Sequence, residues 1–151
     1  MANTQAMCTS FQGDLLTGAH NFGTCVVRAT TAADTFKAAL YLASATINAS
    51  TTAYTATGEV SGSGYSAGGV TVTFGTAPST SGTTAFVTPS ASITYSSVTL
   101  STAFDCVLIY NSTQSDKAVS VHTFGSQTVT AGTFTLTMPT NDASTGLIRL
   151  A

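Results

Sequence analysis

From Phe36 onward the apolar residues fall in short runs separated by glycine, proline and hydroxyl-bearing residues; some runs are continuously apolar and others alternate with a period of two. FKAALYLA, from Phe36 to Ala43, is apolar enough to predict a central strand. Thr51 to Val60 and Val70 to Phe74 predict two more, on either side of the glycine-rich stretch SGSGYSAGG. Thr83 to Val87 predicts another, stopped by Pro89. Ser92 to Leu100 alternates through Ile93 and Tyr95, then changes phase at Ser96-Ser97 before Val98 and Leu100, which predicts a bulge or a turn. DCVLIY, from Asp105 to Tyr110, is the most apolar run and is assigned to the core. Ala118 to Phe124, Thr133 to Met138 and Gly146 to Leu150 complete the series, with Phe134, Leu136 and Met138 on one face and threonines on the other.

Before Phe36 the pattern differs. Cys8 to Gly18 predicts a short helix, capped by Thr9 or Ser10, with Phe11, Leu15 and Leu16 on one face and Gly18 as its stop. At two to three turns it is marginal alone. Its apolar face either closes one end of the domain or docks on a partner. A Thr/Ala-rich link from Ala29 to Ala33 leads into the strands. Roughly eight short strands about 8–12 residues apart, with turn signals between, are the signature of a sandwich or barrel. No strand alternates with a long helix, and no fixed-period repeat is present. The expected fold is all-β: an antiparallel, jelly-roll-like β-sandwich over residues 34–151, preceded over residues 1–33 by a short N-terminal helix and an extended arm.

Composition changes the picture from fold to function. Charged residues make up 7% of the 151, against about 25% in an ordinary globular domain. Serine and threonine fill the gap and amount to about a third of the chain. A surface so short of charge is poorly suited to a free monomer and suits a protein covered by neighbours in an assembly. Arg28, Lys37, Lys117 and Arg149 are dispersed, so the basic cluster that nucleic acid or an anionic membrane needs is missing. No apolar run approaches the ~20 residues of a membrane span, and the first residues lack the pattern of a secretory signal. Cytoplasmic synthesis follows as the expectation, with Cys8, Cys25 and Cys106 as free thiols or with one disulfide among them.

Candidate chemistry is thin. Nucleophilic catalysis needs a base and a group that orients it. His20 lies in a glycine-flanked link, His122 lies within an expected strand, and the acids are scattered. Asp34, Asp116 and Asp142 stand where turn residues belong, bonding nearby backbone amides. The GxGxxxGG pattern in the glycine-rich stretch is followed by the strand VTVTF rather than a helix, which rules out a dinucleotide loop. No cysteine pair has zinc-ligand spacing. No enzymatic activity, cofactor or metal is expected.

The segment from Glu59 to Tyr65, EVSGSGY, resembles the EVSGxGY motif of a group of small virion proteins of tailed bacteriophages, tail-fibre-like or head-decorating. The resemblance extends to CTSFQGDLLTGAHNF and DTFKAALYLASATINASTTAYTATGEVSGSGYSAGG, and to FDCVLIYN followed by KAVSVHTFGSQTVTAGTFTLTMP. It covers most of the chain. One departure is that Ser66-Ala67-Gly68-Gly69 follows the motif tyrosine, where many members have a basic residue. The resemblance implies a non-enzymatic structural protein of the virion, bound to the capsid or to the tail or neck, with other virion proteins and copies of itself as partners. A carbohydrate- or receptor-binding module of a tail fibre is the alternative, with Tyr54, Tyr65 and Tyr110-Asn111 as candidate contacts. Phe11, Leu15, Glu59, Gly62, Gly64 and Tyr65 are the residues expected at a subunit contact. Tyr65 is either an anchor there or a cover for its own core.

Overall fold

A computed structural model describes residues 15–18 and 34–151. The described residues are all-β apart from that first short segment, with seven strands in two antiparallel sheets: β1 (Phe36–Leu42), β2 (Val70–Val72), β3 (Ser79–Ser81), β4 (Thr84–Val87), β5 (Ile93–Asn111), β6 (Lys117–Leu136) and β7 (Ile148–Leu150). Of the expected N-terminal helix, residues 15–17 form a single helical turn, closed by a bond from the Gly18 amide to the Leu15 carbonyl. Gly18 takes the left-handed conformation that its role as a stop requires (φ 69°). Residues 8–14 of that helix lie outside the described residues.

One unit holds the sheet β2-β1-β5-β6 and contributes residues 34–73 and 91–137 to the description. β1 lies between β2 and β5, as its apolar run predicts, and its residues from Ala38 to Tyr41 have no exposed surface. DCVLIY is likewise core, with Val107, Leu108, Ile109 and Tyr110 all buried. On one face Ala39, Tyr41, Cys106, Leu108 and Tyr110 pack together beneath Ala45, Ile47 and Tyr54 of the long β1–β2 connection. Farther along the β5–β6 hairpin, Phe104 meets both Phe124 and Phe134 edge-on, at centroid separations of 6.0 and 5.0 Å. Such edge-to-face pairs fit the ring quadrupoles and add to the burial of the rings themselves.

The other unit contributes residues 74–90 and 138–151 to the description and holds the sheet β3-β4-β7. Here Ala85, Phe86 and Val87 are buried, and Leu147 donates its amide to the Thr88 hydroxyl at 2.9 Å. Asp142 plays the turn role expected of it: Oδ1 accepts the Ser144 and Thr145 amides at 2.7 and 2.8 Å. Those bonds, Thr145 foremost, hold its carboxyl below the usual carboxylate range.

Three strand expectations are corrected. Thr51 to Val60 is no strand; it is a connection touching the sheet through isolated bridges, Ala53 to Lys117 and Glu59 to Tyr41. Ser92 to Leu100 and Asp105 to Tyr110 are one continuous strand of 19 residues, β5. Ala118 to Phe124 and Thr133 to Leu136 belong to one 20-residue strand, β6, which ends short of the expected Met138. Hydroxyl-rich stretches that read as breaks continue as strand because threonine's branched side chain suits the pleat on an exposed face. The phase change at Ser96-Ser97 is a bulge: pairing shifts between Tyr95 and Val98, and Ser97 sits at φ 54°.

Candidate functional site: tyrosines gathered on Glu59

Beyond Leu42 the chain leaves the sheet and returns at Gly58, where residues 58–60 run antiparallel to the end of β1. Leu42 donates its amide to the Gly58 carbonyl at 2.9 Å, and Val60 donates to the Leu40 carbonyl at 3.0 Å. β2 then pairs with Phe36 to Ala38 on the same edge. Between these two partners, residues 61–68 leave the edge, and the Leu40 amide and the Ala38 carbonyl are not met by a strand there. Two tyrosine hydroxyls take its place. Tyr65 accepts the Leu40 amide at 3.0 Å, and Tyr95 donates to the Ala38 carbonyl at 2.9 Å. Their rings stack at 5.9 Å. An unpaired buried backbone group costs about as much as a lost hydrogen bond, so this substitution is a structural necessity.

Glu59 fixes the substitute in position. Its Oε1 accepts the Tyr65 hydroxyl at 2.7 Å and the Gly68 amide at 2.8 Å, while Oε2 accepts the Tyr54 hydroxyl at 2.6 Å. Tyr54 stacks on Tyr110 at 4.9 Å, and Tyr110 donates to the Gly68 carbonyl at 2.8 Å. Tyr41 donates to the Thr55 carbonyl at 2.6 Å. All five tyrosines of the chain therefore gather about its single glutamate, each hydroxyl engaged. Burial raises every one of these phenols, and the proximity of Glu59 adds to the effect; Tyr110 is pushed up to about 12.

The glycines of the motif serve close approach. A Cβ on Gly62 would collide with the Thr99 carbonyl oxygen, and one on Gly64 with that of Ser97. Gly64 also has φ 79°, which costs a residue with a side chain conformational strain. The loop thereby lies flat on the bulged stretch of β5, where Thr99 donates its amide to the Ser63 carbonyl at 2.8 Å. Glu59, Gly62, Gly64 and Tyr65 thus form one unit, with Ser61, Ser63 and Ser66 exposed on its outer side. Leu15 is exposed in its helical turn, and Phe11 lies outside the described residues. Sequence reasoning did not assemble Tyr41, Tyr54, Tyr95 and Tyr110 with Glu59. The available signal was a lone glutamate inside a glycine-rich segment of a nearly uncharged chain.

Chemically the cluster is a closed hydrogen-bonding hub. Two glutamate oxygens carry three donors, close to a carboxylate's capacity. Elsewhere in this unit, Asn111 donates to Asp34 at 2.6 Å and caps the β5–β6 turn by accepting the Thr113 and Gln114 amides. His122 shares a 2.9 Å bond with Ser120 on β6, and burial lowers its pKa. A cleft of about 360 Å³ lies between residues 48–51 and residues 118–121 of β6. Cys106 is free and buried, its thiol pushed up by desolvation; Cys8 and Cys25 are outside the described residues. Among the described residues no group of three His, Cys, Asp or Glu is placed to hold a metal ion, and no helix is long and apolar enough to cross a membrane. Compared with protein-family models, curated proteins and solved structures, the chain finds no match.

Proposed function

We propose that this chain is a non-enzymatic structural component of a tailed-bacteriophage virion, attached to the capsid or to the tail or neck. The observation that carries the reading is the construction of the EVSGSGY segment, the part on which the resemblance rests. Its glutamate and tyrosine are consumed in repairing the sheet edge, and its glycines in lying against β5. What it offers outward is serine hydroxyls and backbone, a surface for packing against a neighbour. The low charge and the Thr-rich exposed face of β6 support the same reading, because such surfaces are best covered in an assembly. The alternative, a carbohydrate- or receptor-binding module, has less support. Its candidate aromatics Tyr54, Tyr65 and Tyr110 are stacked or bonded within their own unit, and Asn111 is occupied by Asp34 and the turn.

Cryo-electron microscopy of the particle tests the proposal. Many copies on the icosahedral shell fit a decoration or cement protein, whereas a few copies at one vertex fit a neck or tail adaptor. A particle without the chain would end the virion reading, and a glycan-array signal from the purified protein would favour the alternative.

A further inference from the structure

We infer that the chain self-associates through the outer edge of β6, with Val119 to Thr123 of two copies pairing antiparallel about a two-fold axis at Val121. The inference rests on the reading of the chain as an assembly component and names the surface and the partner. β6 is the end strand of its sheet. The outer edge already accepts a strand at its beginning: Ala118 donates its amide to the Thr52 carbonyl at 3.0 Å, and Tyr54 donates to the Asp116 carbonyl at 2.9 Å. That short segment then turns away. Among the described residues, backbone pairing on the outer side of β6 stops there.

The edge that follows lacks the usual protection. Natural edge strands are blunted by charge, proline or bulges. Between Lys117 and Asp142 the chain has no Asp, Glu, Lys or Arg, and β6 contains no proline. Ser120 to Thr123 oppose Cys106 to Ile109 in unbroken register, so this stretch presents a regular ladder; Val119, at its near end, is the extra residue where the register shifts between Ile109 and Tyr110. Val119 is 41% exposed, among the largest apolar exposures of the described residues.

A second copy fits this edge because the sequence VSVHT complements itself in antiparallel register. Val119 meets the Thr123 of the other copy, Val121 meets its equivalent on the axis, and Ser120 meets His122, a pairing already made within the strand. The same register sets Gly125 opposite Lys117, where the partner's Thr52–Tyr54 segment lies. It also sets Phe124 opposite Ala118, whose outer amide is already bonded to Thr52, so the paired stretch ends at Thr123 and the strand diverges from Phe124 onward, through the exposed Gly125. The two Lys117 residues stand eight positions off, roughly 26 Å apart, so like charges do not oppose the pairing. A two-fold pairing of this kind joins two four-stranded sheets into one.

Sedimentation and light scattering of the purified full chain, with no particle present, test the pairing. Wild-type protein should show twice the monomer mass as concentration rises. The double variant Val119→Lys/Thr123→Lys sets lysine against lysine and should raise the dissociation constant at least about tenfold. The variant Val119→Glu/Thr123→Glu should be equally impaired, and mixing the two should restore association as heterodimers. Thr128→Lys, on the same strand beyond the paired stretch, should leave the mass unchanged. Hydrogen exchange on wild-type protein should show the amides of residues 119–123 becoming protected as concentration rises, a readout that needs no variant. A wild-type chain that stays monomeric overturns the pairing while leaving the virion reading intact. Association without new protection at residues 119–123, or folded charge variants that fail to complement, also overturns it. A particle lacking the chain would remove the virion reading and leave the self-pairing standing.

Discussion

Tyr65 carries a hydroxyl where β1 needs a strand. It accepts the Leu40 amide and donates to Glu59, so removing one oxygen leaves a backbone donor and a carboxylate oxygen each short of a partner. Tyr65→Phe keeps the ring on Tyr95 and should cost about 1–3 kcal/mol, read from urea unfolding at constant m-value. A loss no larger than that of an exposed substitution would mean water satisfies Leu40 and the hydroxyl is dispensable. Gly64→Ala attacks the same loop from its backbone. It meets the Ser97 carbonyl and a φ of 79° together, and should destabilise by more than about 1 kcal/mol in the same assay. Because both residues belong to one loop, the double variant should cost less than the two single losses added together. Strict additivity would show that the glycine and the hydroxyl act separately.

At the scale of elements, β5 and β6 show how far periodicity could be read. The runs Ile93 to Tyr95 and Asp105 to Tyr110 are legible because buried apolar side chains repeat. The stretch between them is not, since Ser101, Thr102 and Ala103 resemble a loop in a chain where threonine is everywhere. Pairing continues there with shifted register, and a bulge leaves the same local trace in sequence as a turn. The error over Thr51 to Val60 has the opposite cause. Its threonines and Tyr54 have strand propensity, but Tyr54 is committed to Glu59 and Tyr110 across the sheet face, so tertiary contacts override propensity. The site was legible as a motif and not as a cluster, because Tyr41, Tyr95 and Tyr110 come from β1 and β5 and the register that brings them together is not written locally. Ser97 offers a test at this scale. It holds the β5 bulge at φ 54°, a conformation that glycine adopts freely. Ser97→Gly should be neutral or stabilise by up to about 1 kcal/mol in thermal unfolding. A clear loss would indicate that the serine side chain, rather than the backbone angle, holds the bulge.

For the whole molecule, concentrating every tyrosine around one carboxylate has a consequence for stability against pH. Tyrosine in an unfolded chain ionises near pH 10. In the folded protein Tyr41, Tyr54, Tyr65, Tyr95 and Tyr110 all ionise above that value, first because burial disfavours the phenolate and then because Glu59 adds an opposing negative charge. Folding therefore favours the protonated phenols. Below about pH 10 both states are protonated and the tyrosines make no pH-dependent difference. Above it the unfolded chain releases protons that the folded one retains, and stability falls with each further increase in pH. Tyr54 and Tyr65 share Glu59, and Tyr110 and Tyr95 stack on them, so ionising one phenol disturbs its neighbours. Absorbance at the phenolate band, followed with far-ultraviolet circular dichroism from about pH 8 to about pH 12, should show phenolate appearing only as the sheet signal is lost, in one steep step beyond the ordinary tyrosine range. A gradual titration centred near pH 10 with the dichroism intact would show that the phenols ionise within the folded state, and the closed hub about Glu59 would not survive that result.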